Sequence, residues 1–176
     1  MAEEKKEPWL NLLALTTVIL AVCATLATFK GGGYSTKTVL NQAQASDTWA
    51  HYQAKGIKGN LYEVEAMRLR REIELAPKAS LAVLEKSLAE VEKKVAKYEG
   101  EKTDIDKKAR GFEEAKADAQ KHGAPFGLAV IFLQIAILLS SIAALMKKQP
   151  VYWAGLAVGA VGLVYFVNGF FLLFNV

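Results

Sequence analysis

Residues 81–119 read LAVLEKSLAEVEKKVAKYEGEKTDIDKKARGFEEAKADA, and this stretch decides the fold. Apolar side chains recur in it at alternating steps of three and four residues, interrupted only by Lys102 and Lys116. The apolar positions are Leu81, Leu84, Leu88, Val91, Val95, Tyr98, Ile105, Ala109, Phe112 and Ala119. This heptad spacing is typical of a coiled-coil seam, in which one helix packs an apolar stripe against another. The stretch is therefore predicted to be one long helix with a partner helix.

The segment before it carries a looser version of the same spacing. Its stripe consists of Leu40, Ala43, Ala50, Ala54, Ile57, Leu61, Val64 and Leu75. Pro77 separates the two segments, and its fixed φ breaks one helix and suits the first turn of the next. We therefore predict an antiparallel coiled-coil hairpin with arms at about residues 35–75 and 78–122, each roughly 60–66 Å long at the α-helical rise.

Three uncharged stretches flank this hairpin, at residues 9–29, 124–146 and 151–176. Each has at least the roughly 20 residues that an apolar helix needs to cross a bilayer. The sequence thus predicts an all-α membrane protein with three transmembrane helices. The hairpin, residues 30–123, is inserted between the first and second of them. Residues 1–8 are predicted to be a short N-terminal tail, and residues 147–150 a basic turn.

Glycine and proline are expected to mark the membrane exits of the hairpin. Gly31, Gly32 and Gly33 follow the first apolar stretch, and three consecutive glycines are predicted to end the helix and form a hinge. Gly123 and Pro125 are predicted to end the second arm. Both features would separate a transmembrane helix from an arm of the hairpin.

The charge distribution bears on partners and orientation. The net charge is +4, but basic and acidic residues interleave along the hairpin. Nucleic-acid binding needs a patch of one sign and is not expected. Lys147 and Lys148 lie in the short turn between the last two apolar stretches, and short basic loops stay cytoplasmic. The N-terminus is therefore expected in the cytoplasm, with the hairpin and the C-terminus outside it.

Little in the chain suggests chemistry. His51 and His122 are the only histidines, and the hairpin holds them roughly 30 Å apart at the helical rise. No catalytic triad, nucleotide loop or redox cysteine pair is found. The apolar stretches contain no Asp, Glu, Lys, Arg or His, which argues against ion-coupled transport. We expect no enzyme, no cofactor and no metal.

The stripe of the first arm contains three charged residues. Asp47 is expected to pair with Arg110 or Lys107 of the other arm, or with a neighbouring subunit, because an unpaired carboxylate on a seam is costly. Arg68 and Arg71 are expected either to pair with Glu85 or to dock onto an acidic partner. Both residues lie near the tip of the hairpin.

Aromatic residues stand beside the same stripe. Trp49, Tyr52 and Tyr62 combine an apolar body with a polar tip, which suits protein interfaces. They are compatible either with aromatic packing near the membrane surface that helps to fix the register, or with a ligand site or second binding surface. In the last apolar stretch, a predicted helix-packing face consists of Gly155, Gly159, Gly162 and Asn168, since small residues let helices approach closely.

The run from Asp47 to Lys58 resembles the motif Asp-x-Trp-Ala-x-Tyr-Gln-Ala-Lys-x-Ile-Lys of a family of small bacterial membrane proteins known only as a domain of unknown function. The matching residues are Asp47, Trp49, Ala50, Tyr52, Gln53, Ala54, Lys55, Ile57 and Lys58. The resemblance implies a bacterial integral membrane protein and supplies no activity or substrate. The expected location is the bacterial inner membrane. The predicted interaction residues are Asp47, Trp49, Tyr52, Gln53, Lys55, Lys58, Tyr62, Arg68 and Arg71.

These patterns favour a non-enzymatic function. We expect a structural or accessory subunit that lies in the lipid bilayer. It would form homo-oligomers or dock onto a larger membrane complex through its hairpin. The alternative is a component of an oligomeric channel or transporter, whose pore would be lined by the weakly polar residues of the apolar stretches.

Overall fold

The computed structural model describes residues 8–175, and that range is helical with no strand. Helix α1 is Pro8–Leu75, α2 is Leu81–Met146 and α3 is Gln149–Phe171. Each contains a segment long and apolar enough to cross a membrane, so the predicted all-α class with three apolar helices is confirmed. Of the predicted N-terminal tail only Pro8 is described, and it begins α1. Residue 176 also lies outside the described range.

The chain divides into two compact units. The first consists of Met1–Val39 and Lys116–Val176, and we call it the apolar unit. The second is Leu40–Ala115, which we call the helix pair because it holds the end of α1 and the beginning of α2.

The predicted hinge at Gly31, Gly32 and Gly33 is wrong, because α1 continues through all three glycines. A glycine inside a helix costs only about 1 kcal/mol relative to alanine, an amount that packing can offset. Gly31 shows such packing. A Cβ atom added there would lie 3.2 Å from the Cβ of Phe126, so the glycine permits a close approach of α2.

The predicted end of the second arm at Gly123 and Pro125 is also wrong, since α2 runs on to Met146. A proline inside a helix removes one backbone hydrogen bond and costs about 3 kcal/mol. Pro125 is buried, and its neighbour Phe126 is fully buried among aromatic rings, with the Phe170 ring 5.0 Å away. This packing holds the helix together across the proline.

The helices end through local backbone geometry. α1 stops at Leu75, and in the turn before α2 the amide and the hydroxyl of Ser80 both donate to the carbonyl of Pro77. Between α2 and α3, Lys147 adopts a left-handed conformation with φ of 50°. Leu172 does the same after α3, and its amide donates to the carbonyl of Asn168. Left-handed residues of this kind commonly terminate helices.

The core of the apolar unit lies where its three helices meet. Its main cluster consists of Leu20, Ala24, Ala27, Phe126, Ala129, Leu133 and Ala136, and a smaller one of Leu13, Ala143 and Tyr152. Alanine supplies many of these positions. Small side chains let the helices approach closely, which is how helices associate where lipid removes the hydrophobic driving force.

In the helix pair, α1 and α2 run antiparallel and pack closely. Trp49 contacts Glu113, Lys55 contacts Glu101 and Tyr62 contacts Tyr98. The seam predicted for α2 is the face that packs against α1, because none of its positions from Leu81 to Phe112 is exposed. Heptad spacing therefore identified the inner face of α2 correctly.

Candidate interaction surface

The apolar stripe predicted for the first arm points away from α2. Ile57 is 63% exposed, Leu61 66% and Val64 63%, although each was expected in the seam. We call this face the outer stripe. It keeps heptad spacing through Leu40, Ala43, Asp47, Ala50, Ala54, Ile57, Leu61, Val64, Arg68, Arg71 and Leu75, and every one of these residues is exposed. The prediction that this stripe packs against the second arm is wrong.

A different face of α1 packs against α2, with the same three-and-four spacing. It consists of Asn41, Ala45, Thr48, Tyr52, Lys55, Gly59, Tyr62, Ala66, Leu69 and Ile73, none of which is exposed. Most are small, polar or aromatic, so a search for aliphatic periodicity misses them. The small residues explain the choice of face: a Cβ on Gly59 would lie 3.6 Å from the Cβ of Tyr98, in ordinary contact. The bulkier seam of α2 fills the space that they leave.

The three aromatic residues near the outer stripe lie in the contact between α1 and α2. The Trp49 indole donates to Glu113 over 3.0 Å, and its ring meets Tyr52 edge to face at 5.5 Å. Tyr62 stacks on Tyr98 at 5.6 Å. These contacts place Trp49 and Tyr62 against α2 of the same chain, and their role in binding a further partner stays a prediction.

Lys55 belongs to the same inner face. Its ammonium lies 2.6 Å from Glu101 and 5.5 Å from the centre of the Tyr98 ring. The hydrogen bond to Glu101 raises the pKa of Lys55, and the same bond lowers the pKa of Glu101. Of the other predicted interaction residues, Gln53 and Lys58 are exposed.

Asp47 finds no cation within the described part of the chain. It is exposed on the outer stripe, and no hydrogen bond or ion pair reaches it. The expected pairing with Arg110 or Lys107 of the same chain is not formed, and the Nε of Arg110 instead donates to Asp106 over 2.9 Å. That bond raises the pKa of Arg110. Pairing of Asp47 with a neighbouring subunit stays a prediction.

The arginines near the tip also differ from expectation. Arg68 pairs along its own helix, with Glu72 at 3.0 Å and Glu65 at 3.8 Å, and the hydrogen bond to Glu72 raises its pKa. The expected ion pair with Glu85 is not formed. Arg71 and Glu85 are both exposed, and within residues 8–175 neither has an ion-pair partner.

A second exposed face was missed by the sequence prediction, and it borders the contact with α1, since its Glu92 pairs with Arg70 at 2.7 Å. On α2, the positions one residue after each seam residue carry small and acidic side chains at heptad spacing. We call it the alanine-acid stripe, and it consists of Ala82, Glu85, Ala89, Glu92, Ala96, Glu99, Thr103, Asp106, Arg110 and Glu113. All are exposed except Asp106, which is half-buried. Three alanines seven residues apart are the signal that would have identified this face.

The helix-packing residues predicted in α3 are buried within the chain. A Cβ on Gly155 would lie 3.3 Å from the carbonyl oxygen of Ala136, and one on Gly162 would lie 3.0 Å from the backbone nitrogen of Leu133. Gly159 is similarly close to Ala136 and to Leu20 of α1. The glycines thus seat α3 against α2.

Asn168 has a different part in the same unit. It is fully buried, its amide donates to the carbonyl of Phe174 over 2.9 Å, and its side-chain oxygen accepts from the Phe174 amide over 3.0 Å. Asn168 therefore fixes the chain that follows α3.

The histidines and acids form no recognisable reactive centre in residues 8–175. His51 is exposed. His122 stacks on Tyr34 at 5.0 Å, and its Nδ1 lies 2.9 Å from the carbonyl oxygen of Gly169. No three His, Cys, Asp or Glu side chains in the described range come together as a possible metal site. The distinctive surfaces of the helix pair are therefore its two outward stripes.

Comparison with known proteins identifies a family and no activity. Residues 9–172 match the family described as Domain of unknown function (DUF4337). Nothing among curated proteins or solved structures matches the chain. The match covers nearly the whole chain, so it includes both the apolar unit and the helix pair. The chain therefore belongs to the DUF4337 family, as the expectation of a domain of unknown function anticipated.

Proposed function

We propose that this protein is a structural or accessory subunit of a membrane assembly. It associates through the helix pair, either with further copies or with a larger complex, and it carries out no chemistry of its own. The outer stripe is the observation that carries this proposal. An exposed heptad of aliphatic side chains on a helix outside the apolar segments is typical of an unfilled helix–helix interface.

The energetics favour a filled stripe. Ile57, Leu61 and Val64 are each more than half exposed. Burying one such side chain against a partner contributes roughly 1.5–3 kcal/mol. Ala50 and Ala54 beside them leave room for a second helix to approach. The exposed aliphatic residues of the outer stripe would gain nothing comparable from lipid, since the surrounding charged side chains require water.

The proposed location is the bacterial inner membrane, with the N-terminus in the cytoplasm and the helix pair and C-terminus outside it. Lys147 and Lys148 support this orientation, because they form the short connection between α2 and α3 and short basic loops are retained in the cytoplasm. The apolar segments of the three helices support a membrane location.

The alternative of a channel or transporter component has less support. The hydroxyls of Thr17, Thr25 and Ser141 each donate to a carbonyl of their own helix, one turn earlier. Hydroxyls bonded in this way offer less to a solute than free ones. We therefore prefer association as the function.

Native mass spectrometry of the protein extracted in mild detergent tests the proposal. The wild-type chain should appear in complexes, and the double substitution Ile57→Glu with Leu61→Glu should release it as a monomer. Val83→Glu is the matched control, since Val83 is an exposed aliphatic residue of the helix pair that lies on neither stripe. A wild-type monomer with no copurifying protein would contradict the proposal.

A further inference from the structure

The two outward stripes of the helix pair are complementary to each other. We propose that the partner of the outer stripe is a second copy of this chain, which contributes its alanine-acid stripe. This inference rests on the proposed function, because it assumes that the outer stripe is an association surface. The inference goes beyond that function because it names the molecule that binds to the outer stripe, the face that it uses and the register of the contact.

Side-chain size is the first argument. When α1 of one copy runs antiparallel to α2 of the next, one register aligns the heptads of both stripes. Leu75 then faces Ala82 of the second copy, and Leu61 faces Ala96. Large residues facing alanine allow two helices to pack closely without a void. Arg68 faces Ala89 in the same register, with room to extend its aliphatic stem.

Charge is the second and independent argument. The same register places Arg71 opposite Glu85, and Asp47 opposite Arg110. Arg71, Glu85 and Asp47 are exposed, and within the described residues none has an ion-pair partner of its own. Arg110 uses only its Nε for Asp106, so its terminal amino groups remain available to a second carboxylate. One register thus pairs the three charged residues of the two stripes, Asp47, Arg71 and Glu85, that have no ion-pair partner within the described residues.

The register inside the chain gives a third argument. Within one copy, Gly59 lies against Tyr98 and Gly56 against Lys102. The proposed contact between copies places Ile57 level with Glu99. The register of α1 against α2 is therefore the same between copies as within one copy, to within about one residue, or 1.5 Å. A contact between two different faces of the same chain is head-to-tail, so it can repeat from copy to copy around an axis.

Pairing of two outer stripes with each other fits less well. A parallel pair would place Asp47 on Asp47, Arg68 on Arg68 and Arg71 on Arg71, and facing like charges are unfavourable. An antiparallel pair would place Asp47 opposite Arg71. However, it would leave Glu85 of the alanine-acid stripe without the ion-pair partner that it also lacks within the described residues.

Disulfide cross-linking tests the register. The background is Cys23→Ser, which removes the single native cysteine. Membranes containing Leu61→Cys together with Ala96→Cys are oxidised and separated on a non-reducing gel. Leu61 and Ala96 are both exposed, so a bond between copies gives a ladder of dimers and larger species, whereas a bond within one copy leaves a monomer. Leu61→Cys with Ala89→Cys is the control, one heptad or about 10 Å out of register, and should remain monomeric.

Charge reversal tests the pairing without cysteine. Arg71→Glu and Glu85→Arg should each lower association about fivefold or more, since a facing pair becomes two like charges. The double substitution should restore it. Neither residue has an ion pair within residues 8–175, so the helix pair should fold normally in each variant. Lys93→Glu, an equal charge reversal on α2 outside both stripes, should leave association unchanged.

The outcomes separate this inference from the proposed function. A ladder from the 61/96 pair and rescue by the double reversal support the inference. Complexes in native mass spectrometry without a 61/96 cross-link would overturn it and leave the proposed function standing. A dimer formed by the single variant Leu61→Cys would also overturn it, because two outer stripes would then face each other. A dimer formed by the double variant Leu61→Cys with Ile57→Cys would have the same meaning. A monomeric wild-type protein would overturn both.

Discussion

The two helices of the helix pair distribute their apolar residues in opposite ways. The bulky heptad of α2 faces α1, and its outward face is small and acidic. The bulky heptad of α1 faces away from α2, and its inner face is built from small, polar and aromatic residues such as Ala45, Gly59 and Tyr62. One apolar stripe is therefore enough to join two helices when the opposing face consists of small residues. The second apolar stripe is then available for another molecule.

The largest expected effect comes from placing one carboxylate on each apolar stripe. Ile105→Asp inserts a charge into the seam between α2 and α1 and should lower the free energy of unfolding by about 3 kcal/mol. Val64→Asp, on the outer stripe, should change it by less than about 0.5 kcal/mol in the dispersed monomer. Chemical denaturation of the two variants, followed by circular dichroism, makes the comparison. Equal losses from the two substitutions would mean that both stripes are buried within one chain.

An intermediate effect is expected on the inner face of α1. Gly59→Ala adds a methyl group that would lie 3.6 Å from the Cβ of Tyr98, an ordinary contact. Since alanine is favoured over glycine within a helix by about 1 kcal/mol, the variant should be more stable by nearly that amount. Gly162→Ala is the contrast, because its methyl group would lie 2.9 Å from Leu133 and should destabilise the apolar unit. If Gly59→Ala is also destabilising, the inner face of α1 is packed more tightly than described.

The smallest effect concerns the ion pair on the inner face. Lys55→Met removes the partner of Glu101, so the wild-type protein should be slightly more stable than the variant at neutral pH. The pKa of Glu101 is lowered, so its contribution is lost as the pH falls through that lowered value. The pKa of Lys55 is raised, so its contribution is lost as the pH rises through that raised value.

The stability difference should therefore hold from about pH 5 to about pH 10 and shrink on either side. Denaturation of both proteins at pH 3 and pH 7 measures it. Lys97→Met is the control, since Lys97 reaches Glu101 only at 3.8 Å and its side chain is 70% exposed. A difference that persists at pH 3 would assign the effect of Lys55 to its packing on Tyr98.

Part of the structure could be predicted from local sequence and part could not. The three apolar segments and the seam of α2 were predicted because each rests on aliphatic residues at a regular period. The inner face of α1 was not, because heptad spacing locates a stripe without indicating which molecule it faces. Gly31 and Pro125 were read as helix ends for a similar reason: their local preferences are outweighed by packing around Phe126, which only the folded chain reveals.

The same limit applies to the candidate interaction residues. Asp47, Arg68 and Arg71 were assigned to an apolar stripe by spacing, and the structure shows them exposed there. The composition of Trp49, Tyr52 and Tyr62 does not indicate whether they lie towards α2 or away from it. The structure shows Trp49 and Tyr62 in contact with α2. The alanine-acid stripe escaped prediction because alanine and glutamate are ordinary residues of any exposed helix face.

Cysteine labelling in native membranes tests the central claim, that the outer stripe is an association surface, most directly. Single cysteines are introduced at Leu61 and at Val83 in the Cys23→Ser background and treated with a water-soluble maleimide. Both positions are more than 60% exposed in the isolated chain. We predict that Leu61→Cys reacts at least tenfold more slowly than Val83→Cys in the membrane, and equally fast once the protein is dispersed as a monomer. Equal rates in the native membrane would contradict the account.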